Sequence, residues 1–153
     1  MRPGRVAWIG VRPARREPPI PQDRVTLVAA QGIIGDRFFT TSDGARQVTL
    51  IAAEDIAAIA SFLDRAAIAP EIFRRNIVTT GVNLNALKKR NFRIGGALLA
   101  HSGECHPCSR MEEAFGPGGY NAVRGRGGLT ARVLEGGDIA LGDAIIVDMV
   151  NVS

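Results

Sequence analysis

Lysine is nearly absent from this 153-residue chain: Lys88 and Lys89 are the only two among 19 basic residues, and the rest are arginine. Arginine presents a planar fork that grips oxyanions through two parallel bonds, which an ammonium cannot do. A GC-rich coding sequence gives the same bias, so each arginine has to be argued from its neighbours. Aromatic residues are also scarce, at 5%. A nucleic-acid surface needs a basic stripe interleaved with stacking rings. Here the arginines are scattered, which argues against a nucleic-acid partner. No apolar run approaches the roughly 20 residues of a membrane span. The opening "MRPGRVAWIGVRPARREPPIP" lacks the sustained apolar segment of a secretory signal. The expectation is a cytoplasmic protein with no membrane partner, in which cysteines are free thiols or ligands rather than a structural disulfide.

Several familiar motifs are missing as well. Neither GxGxxG nor GxxxxGK[ST] occurs, so a phosphate cradle of either standard kind is unsupported. GxSxG is absent, and two histidines leave little room for a Ser-His-Asp triad.

What is present reads as one domain over residues 1–153 with ordinary globular composition, 46% hydrophobic and 22% charged. Strand patterns fall at 5–11, 24–30, 46–51 and 75–80, and the Pro- and Arg-rich stretch 12–24 reads as an exposed loop. "AAEDIAAIASFLDRA" (52–66) is the clearest helix. Ile56, Ile59 and Leu63 share a face, and Glu54 and Asp55 occupy the first turn, where the dipole favours acids. Two short strands joined at Gly95-Gly96 follow. A short helix is expected over 107–115, then a glycine-rich loop over 116–128, then two closing strands joined by glycine turns. Many short strands with one long helix indicate a β-rich α+β fold, a barrel or curled sheet with peripheral short helices.

Both cysteines and both histidines lie between His101 and Cys108, in "HSGECHPC". A structural zinc site usually draws its ligands from two distant pairs, and no second CxxC or HxxxH exists here. A thioredoxin-like CxxC needs a βαβ setting, which the strand order does not supply, although "CHPC" matches the pattern. A single reactive thiol is the third reading. Pro107 suits the first position of a helix, which puts Cys108 in its first turn. There the dipole and nearby Arg110 favour a thiolate. The fourth reading is a small buried hydrophobe, the common fate of free cysteine. Local sequence leaves the last two open.

The segments "GIIGDRFF" (32–39), "RQVTLIAAED" (46–55), "FRRNIVTTGVNLNAL" (73–87), "FRIGGALLAHSGECHPCSR" (92–110) and "GLTARVLEGGDIALGD" (128–143) occur in that order. Together they resemble the MOSC domain, named for the C-terminal domain of molybdenum cofactor sulfurases, in its small stand-alone bacterial form. The resemblance implies a MOSC-like β-barrel and a reactive cysteine, best matched by Cys108 of "HPCSR". Members carry sulfur on this cysteine or use it as a molybdenum ligand of the pterin cofactor, molybdopterin. Relatives include reductases of N-hydroxylated compounds. A cysteine desulfurase, the pyridoxal phosphate-linked source of sulfur in such pathways, or a molybdoenzyme is the implied partner. Arg37, Arg46, Arg74 and Arg75 fall in the matched segments and are candidates to grip a phosphate or other anion. Asn76 and Asn83 are candidates to orient it. Arg74 and Arg75 are adjacent, so in an extended segment at most one of them enters a given pocket. Asp36 serves as an arginine partner or a turn former. Phe38 stands where the family's GDRH has histidine, and Met111 stands near where reductase-like relatives place their metal-binding cysteine. The alternative from another class is a module without chemistry that binds a phosphate-bearing cofactor or a partner protein, with its cysteine simply buried.

Overall fold

The computed structural model describes residues 3–40, 44, 46–105 and 113–151, with only the backbone described for 149–151. Eleven strands are seen among them: β1 (Gly4–Val11), β2 (Ile20–Pro21), β3 (Arg24–Val28), β4 (Gly32–Ile33), β5 (Val48–Ala52), β6 (Ile77–Thr80), β7 (Arg90–Ile94), β8 (Ala97–Glu104), β9 (Leu129–Glu135), β10 (Gly137–Ala140) and β11 (Ala144–Asn151). The helices are α1 (Ala53–Phe62) and α2 (Gly119–Val123), with short 3-10 turns at Pro70–Phe73 and Leu84–Leu87.

Seven strands close into a barrel in the order β1-β11-β7-β8-β9-β5-β6 and back to β1. An odd number of strands cannot close with every pair antiparallel, because direction would have to reverse at one seam. The β5–β6 pair is that seam and is parallel, with Leu50 opposite Ile77 and Ala52 opposite Thr79. A parallel pair needs a long crossover. Residues 53–76 supply it, and α1 is its main element. The one convincing helix of the sequence is thus what allows the barrel to close. A second sheet, β10-β3-β4, flanks the barrel.

The fold has two apolar compartments. One fills the barrel, with Val6, Ile9, Leu50, Ile77, Phe92, Ile94 and Leu99 among its members. The other lies between barrel and helices, and joins Ile51 and Val78 to Ile56, Ile59, Phe73, Phe115 and Val123. Strand β5 serves both and is buried along its whole length. Its Val48, Leu50 and Ala52 face inward, while Ile51 meets α1, as the alternation of a strand requires.

Three sequence expectations need correction. The helix over 52–66 stops at Phe62 because Asp64 turns left-handed, with φ 55°. Its N–H bonds Ser61 O, and Arg65 N–H reaches back to Ala60 O, which closes the helix end with paired bonds. The stretch 116–128 is not all loop. Gly119–Val123 is helical, because Ala122 and Val123 bury against the second compartment. The chain after Leu129 forms three strands, not two, since Gly137–Ala140 pairs with β3. Glu113–Phe115 is helical, as expected for the end of 107–115, and residues 106–112 lie outside the described residues. Cys105 directly follows β8.

Candidate functional site

Two polar regions draw on the candidate residues, and they differ in kind. The first is a buried knot on one side of the barrel. Arg12, expected in an exposed loop, is only 6% exposed, Asp36 5% and Asn76 0%. The Arg12 guanidinium grips Asp36 through Nε to Oδ1 (3.0 Å) and Nη2 to Oδ2 (2.8 Å). Arg12 N–H adds a third bond to Oδ1 at 2.8 Å. Asn76 Nδ2 donates to Asp36 Oδ1 and to Gly10 O, so both its amide protons are used. Asn76 Oδ1 accepts from Arg12 Nη2, Thr49 N and Thr49 Oγ1. Asp36 is both arginine partner and turn former, since its Oδ2 also accepts the Phe38 N–H at 3.2 Å. Burial pushes the Asp36 carboxyl up, but the bonds and charge of Arg12, aided by Asn76, outweigh it and hold the group below the usual carboxylate range.

Phe38 sits beside this knot, with the guanidinium carbon of Arg12 4.5 Å and that of Arg37 4.8 Å from the ring centroid. The ring thus holds two cations by their attraction to its face. Arg37 is exposed there. Arg46 is exposed in the turn before β5.

The second region is a polar cleft of about 460 Å³, within the size range of small-molecule sites. Its lining includes Asp55, Asn83, Lys88, Glu104, Cys105 and the loop from Arg124 to Gly128. Asn83 reaches it as the cap of the 3-10 turn, accepting Asn85 N–H at 3.1 Å. Cys105, a free thiol 7% exposed, arrives at the end of β8. Its N–H bonds Gly128 O at 3.0 Å. The glycines are needed here: a Cβ on Gly127 would run into Cys105 O, and one on Gly128, at φ 90°, into Leu50 O. Arg75 fixes this loop from below, donating to Gly127 O and Phe73 O, both at 2.9 Å. Arg74 points elsewhere, to Ala14 O and Glu17 O, from a left-handed conformation. The pair therefore diverges, although Arg74 is not in an extended segment. Cys108 and Arg110 lie outside the described residues.

The cleft carries three cations and two acids. Lys88 pairs with Glu104, and Arg126 pairs with Asp55 at 3.0 Å. Arg126 also lies 5.5 Å from the Phe62 ring centroid. Arg124, which follows α2, has no ion pair among the described residues. Nearby, His101 Nδ1 accepts the Lys89 N–H at 3.2 Å, and burial, with Lys88 and Lys89, lowers its pKa against the opposing pull of Glu104.

The family model of the MOSC domain matches the chain over residues 30–146. The chain belongs to the MOSC domain family. Solved structures agree on the fold. The YuaD protein of Bacillus subtilis superposes with a TM-score of 0.81 at 21% identity, over 94% of this chain and 95% of that one. YiiM of Geobacillus stearothermophilus gives 0.77 at 18% identity, over 95% and 75%. YiiM of Escherichia coli gives 0.71 at 21% identity, over 97% and 73%. No curated protein matches the chain. At these identities the structural likeness shows the barrel and not the chemistry.

Of the MOSC-matched candidates, the structure brings Asn83 to the cleft wall and Arg75 to the loop behind it. Asn76 is placed in the knot, Arg37 and Arg46 at exposed positions, and Arg74 on the loop that follows β1. Sequence reasoning missed Arg12, Lys88, Arg124 and Arg126. The signal for Arg124 and Arg126 was their position bracketing glycine in "RGRGG", which read as flexible loop. The signal for Arg12 was Asp36, an acid in a matched segment that needed a partner.

Proposed function

We propose that this MOSC-family protein handles sulfur on Cys108, beside a cleft that accepts an anionic cofactor or substrate. The observation that carries the proposal is the route of β8, which delivers the cysteine stretch, through Cys105, to the polar cleft. Cys108 is tethered to Cys105 by three residues, about 11 Å at full extension. In the loading step the Cys108 thiolate attacks the outer sulfur of a donor persulfide. The donor's S–S bond breaks, its thiolate leaves, and the new persulfide forms on Cys108. No oxidant is consumed. A pyridoxal phosphate-dependent cysteine desulfurase is the donor in this reading. A transferable thiol of this kind suits the reducing cytoplasm, and no helix among the described residues is long and apolar enough to cross a membrane.

The residues present fit a phosphate-bearing group such as molybdopterin. The cleft has the volume, and among the described residues no acceptor takes the Asn83 amide donors and no acid pairs with Arg124. In that case Arg124 and Asn83 hold the anionic end, Arg75 keeps the glycine loop in place, and Cys108 is the candidate metal ligand. A bound molybdenum–pterin would supply two-electron redox chemistry, of the sort that reduces N-hydroxylated compounds.

The rival reading, a binding module without chemistry, is favoured for one thiol by a specific observation: Cys105 is buried. Intact-protein mass spectrometry after incubation with a cysteine desulfurase and cysteine tests the carrier. One labile sulfur on the wild type, lost in Cys108→Ser and kept in Cys105→Ser, is expected. No adduct leaves the binding module, and an adduct that persists in Cys108→Ser removes Cys108 as the carrier and moves the sulfur to another group.

A further inference from the structure

The loop Arg124–Gly128 holds unspent donors of two kinds. Of the three cations on the cleft, Lys88 and Arg126 are committed to Glu104 and Asp55, and among the described residues only the Arg124 charge has no acid partner. The backbone supplies the second, independent observation. Arg124 N–H is used by Tyr120 O and Arg126 N–H by Val123 O. Among the described residues no acceptor takes the N–H of Gly125 or of Gly127. Buried or half-buried backbone donors are nearly always paired, and Gly127 is buried. Gly125 has φ 78° and Gly128 φ 90°, and a Cβ on Gly125 would meet no heavy atom of the described residues within 4 Å. On the far wall Asn83 has its side-chain carbonyl committed to Asn85 N–H, and its amide protons have no acceptor among the described residues.

We infer that this loop is a binding site for a tetrahedral oxyanion of the phosphate or sulfate class, held by the Arg124 guanidinium and the amides of Gly125 and Gly127. The chemistry is specific in two respects. A guanidinium offers two parallel donors, which match two oxygens of one oxyanion. The amides are fixed before the ligand arrives, because Arg75 pins Gly127 O and Cys105 N–H pins Gly128 O. Little ordering cost is then left for binding. This assignment stands whether or not Cys108 carries sulfur. It also moves the anion contact from Arg37, Arg46 and Arg74 to a loop that no family segment singled out.

The anion has two sources, a free oxyanion or the phosphate end of a larger ester, and the experiment separates them. ¹⁵N-labelled Cys108→Ser protein is titrated with inorganic phosphate, and separately with guanosine 5′-monophosphate, at constant ionic strength set with chloride. Saturable shifts of the Gly125 and Gly127 amides are expected with phosphate. Arg124→Gln should weaken binding roughly tenfold or more, the usual worth of a charged hydrogen bond. Arg124→Lys should recover part of the loss, and Arg93→Gln, an equal charge change on the outer face of β7, should leave it alone. Tighter binding of the nucleotide, with shifts spreading to Asn83 and Asn85, assigns the site to a phosphate ester that fills the cleft. Equal or weaker binding assigns it to a free oxyanion. Absence of saturable shifts at both glycines overturns the site, as does equal weakening by Arg124→Gln and Arg93→Gln. Because the protein lacks Cys108, failure here leaves the sulfur reading intact, and failure of sulfur loading leaves this site intact.

Discussion

The knot around Asp36 and the cleft around Arg124 are built from the same kinds of residue and behave oppositely. In the knot, every donor of the Asn76 side chain is spent on protein, and the Asp36 carboxylate accepts five hydrogen bonds. In the cleft, one guanidinium and two backbone amides have no partner among the described residues. The lesson is that residue type does not mark a binding site. Arg12 and Arg124 carry the same fork. One is locked at 6% exposure on a carboxylate that it keeps ionised. The other follows a short helix and has no acid partner among the described residues. The knot joins the end of β1, the Asp36 turn and the β5–β6 seam, so it staples the place where the barrel's parallel pair begins. The cleft lies where β8 and β9 meet the crossover helix, and its glycine loop is held open by Arg75.

The sharpest way to break this comparison is to empty the knot. Asp36→Ala strands the Arg12 charge in the interior and should cost about 3–5 kcal/mol, read from urea denaturation. Arg12→Met with Asp36→Leu should cost less than Asp36→Ala alone, because no charge is left buried without its partner. An equal or greater loss would show that the ion pair, not its burial, is what stabilises. The knot also has a pH signature. The folded Asp36 pKa lies below its ordinary value of 3.8, so the unfolded chain takes up the proton first. The stability from this pair is therefore complete above that value and is lost as pH falls through the folded pKa. Asp36→Asn should remove that part of the acid sensitivity.

Two smaller perturbations act on the cleft. Arg75→Ala removes two hydrogen bonds to buried carbonyl groups and should cost about 1–3 kcal/mol. It should also speed alkylation of Cys105, because Gly127 would no longer be held over it. Unchanged alkylation would separate the brace from the thiol. Cys105→Ser places a hydroxyl where the thiol is 7% exposed, at a cost of about 1 kcal/mol. The sulfur adduct on Cys108 should survive this change, and its loss would make the two cysteines a working pair.

Much of the barrel was legible in the sequence. Short runs at 5–11 and 46–51 gave strands, as did the pair joined at Gly95-Gly96, and the Ile56–Ile59 spacing gave α1, because such patterns record burial on one face. The failures have physical causes. Asp64 ended α1 early by turning left-handed, which no periodicity records. "GYNAV" became a helix only because Ala122 and Val123 find a partner surface in α1 and the barrel, and that surface is remote in sequence. The knot was half legible. Asp36 could be read as a partner or a turn former, but its partner lies 24 residues away at the end of another strand. The cleft was the least legible region. Its key property is which charges are already paired, and Lys88–Glu104 and Arg126–Asp55 become pairs only on folding.

The gentlest test of the contrast is His101, which stands near the cleft and, unlike the knot, holds a titrating base. Burial is the main cause that lowers its pKa below its ordinary value of 6.5, with Lys88 and Lys89 acting in the same direction and Glu104 against them. The Lys89 N–H on Nδ1 demands a neutral ring with its proton on Nε2. The folded state thus resists protonation that the unfolded chain accepts. Stability from this group is complete above pH 6.5 and declines as pH falls through the folded pKa. His101→Gln should flatten the stability profile just below neutrality, where the His101 decline begins, whereas the Asp36 decline begins only near its ordinary value of 3.8. Lys88→Gln should raise the His101 pKa directly by removing a cation, and at the same time free Glu104 to attract the imidazolium more strongly. An upward shift of the His101 imidazole resonance in an NMR titration of Lys88→Gln is the expected result. A downward shift would mean that desolvation by a collapsed cleft outweighs both charges, and that the cleft is kept open by the Lys88–Glu104 pair rather than by the glycine loop.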